Sequence, residues 1–355
     1  MESLDRLLDA SGPVALVMRE HLRPVTGHGT PIFPPTYARD RSQADQVHPT
    51  YNIDALQDGY RAQVDSVGSQ TNRMEAAFLE APYADLVPQI TIEVPGEDGP
   101  RKRVNLIEAP HRLADASVRF SGLHDEAEAA FTAYLDRGDA EPLARLSPLA
   151  LVFGVWDSRA TQAKVPRSLS MTIHADQVEW LTRSAQLAPA ISGEDVVGDD
   201  EEQMEEKEHQ AWAEVGLAHV PAARTHGGII SHGPIVREGT LNLVALRGIR
   251  GADAEATQRL QRYLMGLALT AATLPGPHNL RQGCLLVRDG KDAAASWMVG
   301  PEGEEETVAL DHQEALEMAQ AAARGFGVPE PRTVTFDAKA ATDAMKEAQK
   351  GGKKR

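Results

Sequence analysis

The sequence predicts a loop-rich α+β fold. The 355 residues include 22 prolines and 29 glycines but only 5% aromatic residues, which is typical of many short elements joined by loops. Residues 149–156 are apolar at nearly every position, which predicts a strand buried on both faces. Predicted strands at 241–247 and 283–287 flank an amphipathic helix at 253–274, and this β-α-β unit is one half of a ferredoxin-like sheet.

The N-terminal part begins with a predicted amphipathic helix at residues 3–10 and a first strand at 13–18. Residues 24–51 follow as an irregular segment, and a loop of this length in a compact domain is usually functional or held by its own packing. Three side chains are expected to anchor it to the core or to a neighbouring copy: Ile32, Phe33 and Tyr37.

A helix is predicted within residues 64–79, with Asn72 as its N-cap and Glu75 at the third helical position. The tripeptide GSQ at 68–70 precedes that cap and Arg73 follows it. Glycine and small hydrogen-bond donors at a helix N-terminus are typical of an anion-binding site, and an ordinarily capped helix is the alternative.

Two strands at 87–94 and 104–108 are predicted to form a hairpin, followed by a helix at 109–121. Four polar residues would share one face of that helix: His111, Arg112, Asp115 and Arg119. A His–Asp pair four residues apart is compatible with general-base chemistry, but no serine or cysteine nucleophile motif accompanies it. Further helices are predicted at 124–137, 139–146, 311–325 and 338–349, and a strand at 168–174.

The segment after the apolar run 149–156 carries the strongest candidate for binding. Its polar side chains include Arg159, Gln162, Lys164 and Arg167, and no acidic residue lies between positions 158 and 167. Arginine and lysine donate charge-assisted hydrogen bonds to phosphate, so we expect a platform for a polyanion. A strand end with solvated charges is the alternative. The small residues Gly154 and Ala160 would allow close backbone approach.

The formal net charge of −16 argues at first against a nucleic-acid-binding protein. Its distribution weakens that argument. Residues 194–208, within an acidic insertion at 193–218, contain nine acidic residues and one lysine. Because the Debye length is about 8 Å at physiological salt, a basic groove can coexist with a remote acidic segment. We expect the insertion to be a mobile loop or a solvated helix.

The sequence gives no indication of a cofactor, a metal or a membrane span. His226 and His232 lack further placed ligands, and GG at 227–228 is expected to form a tight turn entering a strand. The single cysteine, Cys284, is expected to be a buried thiol. Without a signal peptide or a possible disulfide, the chain is expected to be cytoplasmic.

Several segments resemble one known family. They are IFPPTYA (32–38), DSVGSQTNRME (65–75), LVPQI (86–90), HRLADASVRFS (111–121), LALVFGVWDSRATQAKVPR (149–167), LNLVALR (241–247) and LRQGCLLV (280–287). In this order they are similar to the backbone subunit of the type I-G (formerly I-U) CRISPR Cascade effector, in the RAMP superfamily. The resemblance covers roughly residues 13–290.

For residues 291–355, which lie outside the resemblance, the sequence itself predicts a C-terminal helical extension with a loose basic tail. The resemblance implies an RRM-like core with large insertions over residues 1–290. It also implies a thumb-type hairpin, for which 91–105 and 193–226 are the candidates. Such subunits are non-catalytic scaffolds that stack head to tail along guide RNA (crRNA). The implied partners are therefore crRNA, target DNA by way of the guide, other copies of the chain and other CRISPR effector subunits.

The resemblance and the residue types together define the predicted RNA contacts. These are Arg159, Gln162, Lys164 and Arg167, then Ser69, Gln70, Asn72 and Arg73, then His111, Arg112, Arg281 and Gln282. A RAMP-type endoribonuclease is the alternative function, because some members of the superfamily cut RNA. Asp115 and Asp157, each beside basic residues, are the acidic candidates for that chemistry.

Overall fold

The structure, a computed structural model, describes residues 6–38, 50–198 and 206–352 and shows a mixed α+β fold. The strands are β1 Ala15–Pro24, β2 Ile53–Leu56, β3 Gly59–Asp65, β4 Ile90–Val94, β5 Lys102–Asn105, β6 Val155–Trp156, β7 Lys164–Val165, β8 Leu169–Asp176, β9 Val178–Leu187, β10 Val220–Ser231, β11 Ile235–Asn242, β12 His278–Arg281, β13 Cys284–Arg288, β14 Ala294–Val299, β15 Glu305–Thr307 and β16 Arg332–Thr335.

The α-helices are α1 Val67–Ala77, α2 Ala116–Arg119, α3 His124–Arg137, α4 Glu141–Leu146, α5 Pro148–Phe153, α6 Gly193–Val197, α7 Glu206–Glu214, α8 Leu243–Arg247, α9 Ala254–Ala272, α10 His312–Phe326 and α11 Ala338–Gly352. Short 3₁₀ helices lie at Arg6–Leu8, Ala84–Leu86, Leu106–Glu108 and Arg112–Ala114.

The main sheet is antiparallel and is organised around β1. Its strand order is β12-β13-β1-β11-β8-β3-β2. One edge of β1 pairs with β11, and the other pairs with β14 over Ala15–Glu20 and with β13 over Leu22–Pro24. The helices α1 to α5 lie between β1 and β8 in the chain, and α9 lies between β11 and β12. The β-α-β unit is present as β11, α9 and β13, and β1 lies between its two strands in the sheet.

The inward face of β1 meets two separate apolar clusters. Leu16 and Met18 belong to the larger cluster, which packs against α5, α9 and α10, whereas Leu22 belongs to the smaller one. Glu20 lies between them on the same face and is also buried. A buried carboxylate requires compensating partners, so the boundary between the two clusters must hold a polar network.

Helical periodicity and capping residues predict the long helices correctly. The prediction at 124–137 coincides with α3, and α9 begins directly after Asp253, whose side chain accepts a hydrogen bond from the Ala256 amide. α10 and α11 match the helices predicted at 311–325 and 338–349, and α4 matches 139–146. Of the helix predicted at 3–10, the described part is a single 3₁₀ turn, Arg6–Leu8.

The prediction of a buried strand at 149–156 is wrong. Residues 148–153 form α5, and only Val155 and Trp156 are extended. Every residue of α5 is buried, so the helix has no polar face and its sequence shows no 3.6-residue period. Pro148 at the first helical turn, where its missing N–H costs no hydrogen bond, is the local signal for a helix.

The strand predicted at 241–247 is also wrong in its larger part. The strand β11 ends at Asn242, whose side chain accepts a hydrogen bond from the Ala245 amide and so caps α8. The strands predicted at 168–174 and 283–287 are confirmed as β8 and β13, and the predicted hairpin is confirmed as β4 and β5 with shifted bounds.

The loop after β1 is anchored to the core, as expected for Ile32. This residue is buried and forms an isolated β-bridge with Ile229 of β10. Phe33 lies against Gly283, where an added Cβ would come within 2.7 Å of the ring and φ is +75°. The Tyr37 hydroxyl donates to Gln63. Residues 39–49 of the predicted irregular segment lie outside the described residues.

The strands β9 and β10 form a two-stranded hairpin apart from the main sheet, and the acidic insertion lies beyond its outer end. Leu187 pairs with Val220 at that end, and Val178 pairs with Ser231 at the inner end. The helix α7 of the insertion has no buried residue, which fits the expected solvated helix. The GG pair at 227–228 lies inside β10 at a register shift, so the predicted entry turn is instead a bulge within the strand.

The segment after residue 290 is joined to the rest of the fold. β14 pairs with β1, β16 pairs in parallel with β4, and α10 packs against α9. Cys284 is buried, and burial raises the pKa of its thiol to about 11. Within the described ranges, no helix combines the length and the apolar character needed to cross a bilayer.

Candidate nucleic-acid interface

The helix α1 connects most of the predicted site residues. Its N-cap is Ser66, whose hydroxyl accepts a hydrogen bond from the Ser69 amide, so the predicted cap at Asn72 is wrong. Ser69 and Gln70 therefore lie in the first turns of the helix, and Asn72 is an exposed residue in its middle. The signal was missed because Ser66 has no acidic residue three positions later, whereas Asn72 does.

At the start of α1, the buried carboxylate of Asp65 collects three of the predicted donors. Gln70 Nε2 donates to Asp65 Oδ2 at 2.7 Å, and Arg73 Nε donates to the same oxygen at 3.0 Å. Arg281, at the end of β12, donates to Asp65 Oδ1 at 2.9 Å. Since the Asp65 side chain is 0% exposed, these donors compensate its buried charge.

The same polar network continues to Glu20 on β1. Arg237 donates from Nε to Gln70 Oε1 at 3.0 Å and lies 3.5 Å from the Glu20 carboxylate. Burial alone would raise the pKa of Glu20, but hydrogen bonds from His278 and Arg288 and the charge of Arg237 outweigh it and lower the pKa to about 2. The network therefore fills the boundary between the two apolar clusters with paired charges.

Farther along α1, Glu75 forms a two-pronged ion pair with Arg112. Arg112 Nε and Nη2 donate to the two carboxylate oxygens at 2.6 and 2.9 Å, and Nη1 donates to the Gly154 carbonyl at 2.9 Å. The backbone of Arg112 is left-handed, with φ of 50°. These three side-chain bonds hold a conformation that non-glycine residues rarely adopt.

The helix predicted at 109–121 does not form as one element. Residues Arg112–Ala114 make a 3₁₀ turn, and Asp115 then adopts an extended conformation and caps α2. His111, Arg112 and Asp115 consequently do not share a helical face. The Asp115 carboxylate instead accepts hydrogen bonds from the Ser117 amide and hydroxyl.

The short strands β6 and β7 form a two-stranded ribbon, which we call the 154–167 ribbon after the residues that it spans. Gly154 connects it to α5 with φ of +83°, and an added Cβ there would lie 3.1 Å from the Arg167 amide nitrogen. The close approach expected at Gly154 is thus to the chain itself. Arg167 Nε donates to the Phe153 carbonyl at 3.1 Å, which fastens the second strand to the end of α5 at the base of the ribbon.

The turn of the ribbon is held by Asp157. Its carboxylate accepts hydrogen bonds from the Ala160 amide and from both the amide and hydroxyl of Thr161. Burial alone would raise the pKa of Asp157, but these bonds outweigh it and the pKa is lowered. An ionised aspartate therefore fixes a turn that presents Arg159 and Gln162 to solvent.

Arg112 contacts the ribbon through the Gly154 carbonyl and contacts α1 through the Glu75 carboxylate. It therefore links the ribbon to α1. Burial and the neighbouring charge of Arg112 lower the pKa of Arg167. Arg73 and Arg281 meet at the other end of α1. The predicted residues that remain exposed are Arg159, Gln162, Lys164, Arg167, Asn72, His111 and Gln282.

Sequence reasoning missed the internal partners of these residues and one exposed aromatic residue. The sequence did not indicate the ion pairs of Asp65 and Glu75 with distant arginines, since Asp65 is 216 residues from Arg281 and Glu75 is 37 residues from Arg112. Trp156 belongs to the apolar run at 149–156, yet it is 58% exposed. Its position at the last residue before Asp157 was the available signal. The described residues hold no group of three or more potential ligands arranged for a metal ion.

One comparison with known proteins identifies a relative. Residues 16–180 match the model of the family described as CRISPR-associated protein GSU0053. The matched part begins in β1 and ends in β9, so it includes α1, the Arg112 turn and the whole 154–167 ribbon. Over these residues the chain is similar to a CRISPR-associated family. No curated protein matches the chain.

Proposed function

We propose that this protein is CRISPR-associated and acts as a non-catalytic, guide-RNA-binding backbone subunit of a type I-G effector complex. The observation that carries the proposal is the 154–167 ribbon, which presents Arg159, Lys164 and Arg167 on a folded support with no acidic residue between positions 158 and 167. Such a surface suits the phosphates of a single strand, which attract cations regardless of base sequence.

The sheet topology supports an RRM-like core of the RAMP type. The central order β13-β1-β11-β8 is antiparallel, with helices inserted after β1 and after β11. This is the β-α-β-β-α-β arrangement of a ferredoxin-like sheet. In this assignment the first crossover is the connection from β1 to β8, and the helices from α1 to α5 and the ribbon form one large insertion within it.

We assign the thumb to the hairpin of β9 and β10. Most of β9 is exposed, and the pair forms a sheet of its own. The other candidate, at 91–105, is less free because β4 pairs with β16 as well as with β5. A hairpin whose outer part is exposed can reach a neighbouring copy, and head-to-tail stacking of copies uses two different surfaces of each subunit.

Co-purification tests the proposed function. The protein is expressed with its guide-RNA transcript and companion subunits, fractionated by size, and the nucleic acid in the peak is extracted. We expect a large particle with several copies of this chain and RNA of uniform length. A monomer or dimer without RNA under those conditions would refute the scaffold function.

Endoribonuclease activity is the second candidate, and one observation favours it. Asp115 and Asp157 line the same cleft, together with Arg119, His124 and Arg159. Against catalysis, the carboxylates of both aspartates accept backbone and hydroxyl hydrogen bonds that fix local turns. The scaffold therefore remains our proposal.

The two functions are separated by an RNA-cleavage assay with Mg²⁺, comparing the natural chain with Asp115→Asn and Asp157→Asn. We expect no cleavage by any of the three proteins. Metal-dependent cleavage that either substitution abolishes, while RNA binding persists, would establish the nuclease instead.

A further inference from the structure

The 154–167 ribbon has one buried and one exposed face. Val155 pairs directly with Val165, and Trp156 pairs directly with Lys164. Directly opposite residues of an antiparallel pair project to the same face. The two valines are 7% and 3% exposed and belong to the larger apolar cluster, whereas Trp156 is 58% exposed. Trp156 therefore lies on the solvent face of a ribbon whose other face is fixed to the core.

Lys164 completes this exposed face. Its Nζ lies 5.6 Å from the centroid of the Trp156 ring, within the range of a cation–π interaction. The ring and the ammonium group thus form one unit with a flat apolar surface and a positive charge. A single strand of nucleic acid offers the complementary pair, a planar base and a phosphate.

The unit is also rigid before any ligand binds. The bonds that Asp157 accepts fix the turn after Trp156, and the bond from Arg167 to the Phe153 carbonyl fixes the strand that carries Lys164. A platform held in this way loses little conformational entropy when a base stacks on it.

We propose that Trp156 stacks against one base of a single-stranded RNA while Lys164 contacts the adjoining phosphate. This inference rests on the proposed function and adds to it a base-binding residue and a mode of binding. Stacking uses the π-face that every base shares, so the platform tolerates any guide sequence. The absence of acidic residues between positions 158 and 167 favours RNA over a protein partner, because a phosphate backbone needs cations without competing anions.

The test compares Trp156→Ala and Trp156→Phe with the natural protein on two probes: a labelled uridine oligonucleotide and an abasic chain of the same length. We expect Trp156→Ala to weaken binding of the oligouridylate by roughly 5- to 150-fold and to leave the abasic chain unaffected. Trp156→Phe, which keeps an aromatic face, should recover most of the affinity.

The matched control is Trp297→Ala. Trp297 also lies beneath a cation, Arg19, at 5.3 Å, but it belongs to β14 in the main sheet. We expect this substitution to leave the affinity for both probes unchanged. All variants are first compared with the natural protein by thermal melting, so that a loss of folded protein is recognised.

The outcomes separate stacking from the function on which it rests. If the natural protein binds neither probe, the proposed function and the stacking inference both fail. If it binds and Trp156→Ala binds equally well, only the stacking inference fails. An equal loss on both probes would assign Trp156 a structural role and would also overturn the inference.

Discussion

Removing two exposed cations from the 154–167 ribbon tests whether the ribbon binds phosphate. We consider the double substitution Arg159→Ala/Lys164→Ala. Both side chains are exposed, and neither forms an ion pair within the described residues. Lys164→Ala removes the exposed cation–π contact with Trp156, which should lower the free energy of unfolding by about 0.5–1 kcal/mol. The variant should therefore remain folded.

The size of the effect follows from counterion release. Each phosphate contact on a single strand contributes about −0.7 to the slope of log affinity against log salt concentration. Losing two contacts should make the slope shallower by about 1.4. Between 50 and 200 mM salt, the natural protein should then lose about sevenfold more affinity than the variant. At low salt, RNAs of different sequence should be weakened equally, because phosphate contacts do not read bases.

The assay is fluorescence anisotropy with labelled RNAs of two unrelated sequences across a salt series. The matched control is Arg324→Ala/Lys339→Ala, which removes the same charge from exposed positions on α10 and α11. Its slope should equal that of the natural protein. An unchanged slope in the ribbon variant, or an equal change in the control, would refute a local phosphate contact. A loss confined to one RNA sequence would show that these side chains read bases.

Three further predictions concern the support of the site. Arg112→Ala leaves the buried Glu75 carboxylate unpaired and should lower the free energy of unfolding, measured by urea denaturation, by about 3–5 kcal/mol. The double substitution Arg112→Met/Glu75→Met removes both charges and should restore most of that stability. Equal stability of the two variants would contradict this reasoning. The pKa of Glu20 is about 2 in the folded protein, against an ordinary 4.5. The charged form therefore stabilises the fold by about 3 kcal/mol above pH 4.5, and this stabilisation is lost as the pH falls towards 2. Glu20→Gln should remove that part of the pH dependence in acid titrations, and an unaltered titration would count against the network. Gly154→Ala, at φ of +83° and in close contact with Arg167, should cost about 1–3 kcal/mol in thermal or urea unfolding, and a neutral result would show that the connection can relax.

The elements that the sequence predicted well have a local cause. The helix α3 and the cap of α9 depend on residues within one or two turns, so periodicity and Asp253 locate them. The helix α5 could not be recognised by its period because all its faces are buried. A short apolar run is compatible with a buried helix or a buried strand, and only the tertiary position decides between them.

The candidate site shows the same division between local and distant causes. The ribbon cations were predicted from their clustering in the chain, which is a local property. Arg73, Arg112 and Arg281 had equally promising sequence contexts, yet each directs its guanidinium group to an internal carboxylate. No sequence signal separates the two kinds of arginine, because the carboxylate partners lie between 8 and 216 residues away.

The distribution of the charges accounts for how an acidic protein can present a basic surface. Asp65, Glu75 and Glu20 are paired with arginines, so the excess of acidic residues behind the net charge of −16 lies elsewhere in the chain. The acidic residues of α7 lie beyond the outer end of the β9–β10 hairpin, and those at 302–306 lie at the turn before and within β15. Fields from exposed charges decay within about 8 Å at physiological salt. The field that a phosphate meets at the ribbon therefore depends on nearby charges, which are Arg159, Lys164 and Arg167 together with the carboxylates that share the cleft with Arg159, and not on the sum over the chain.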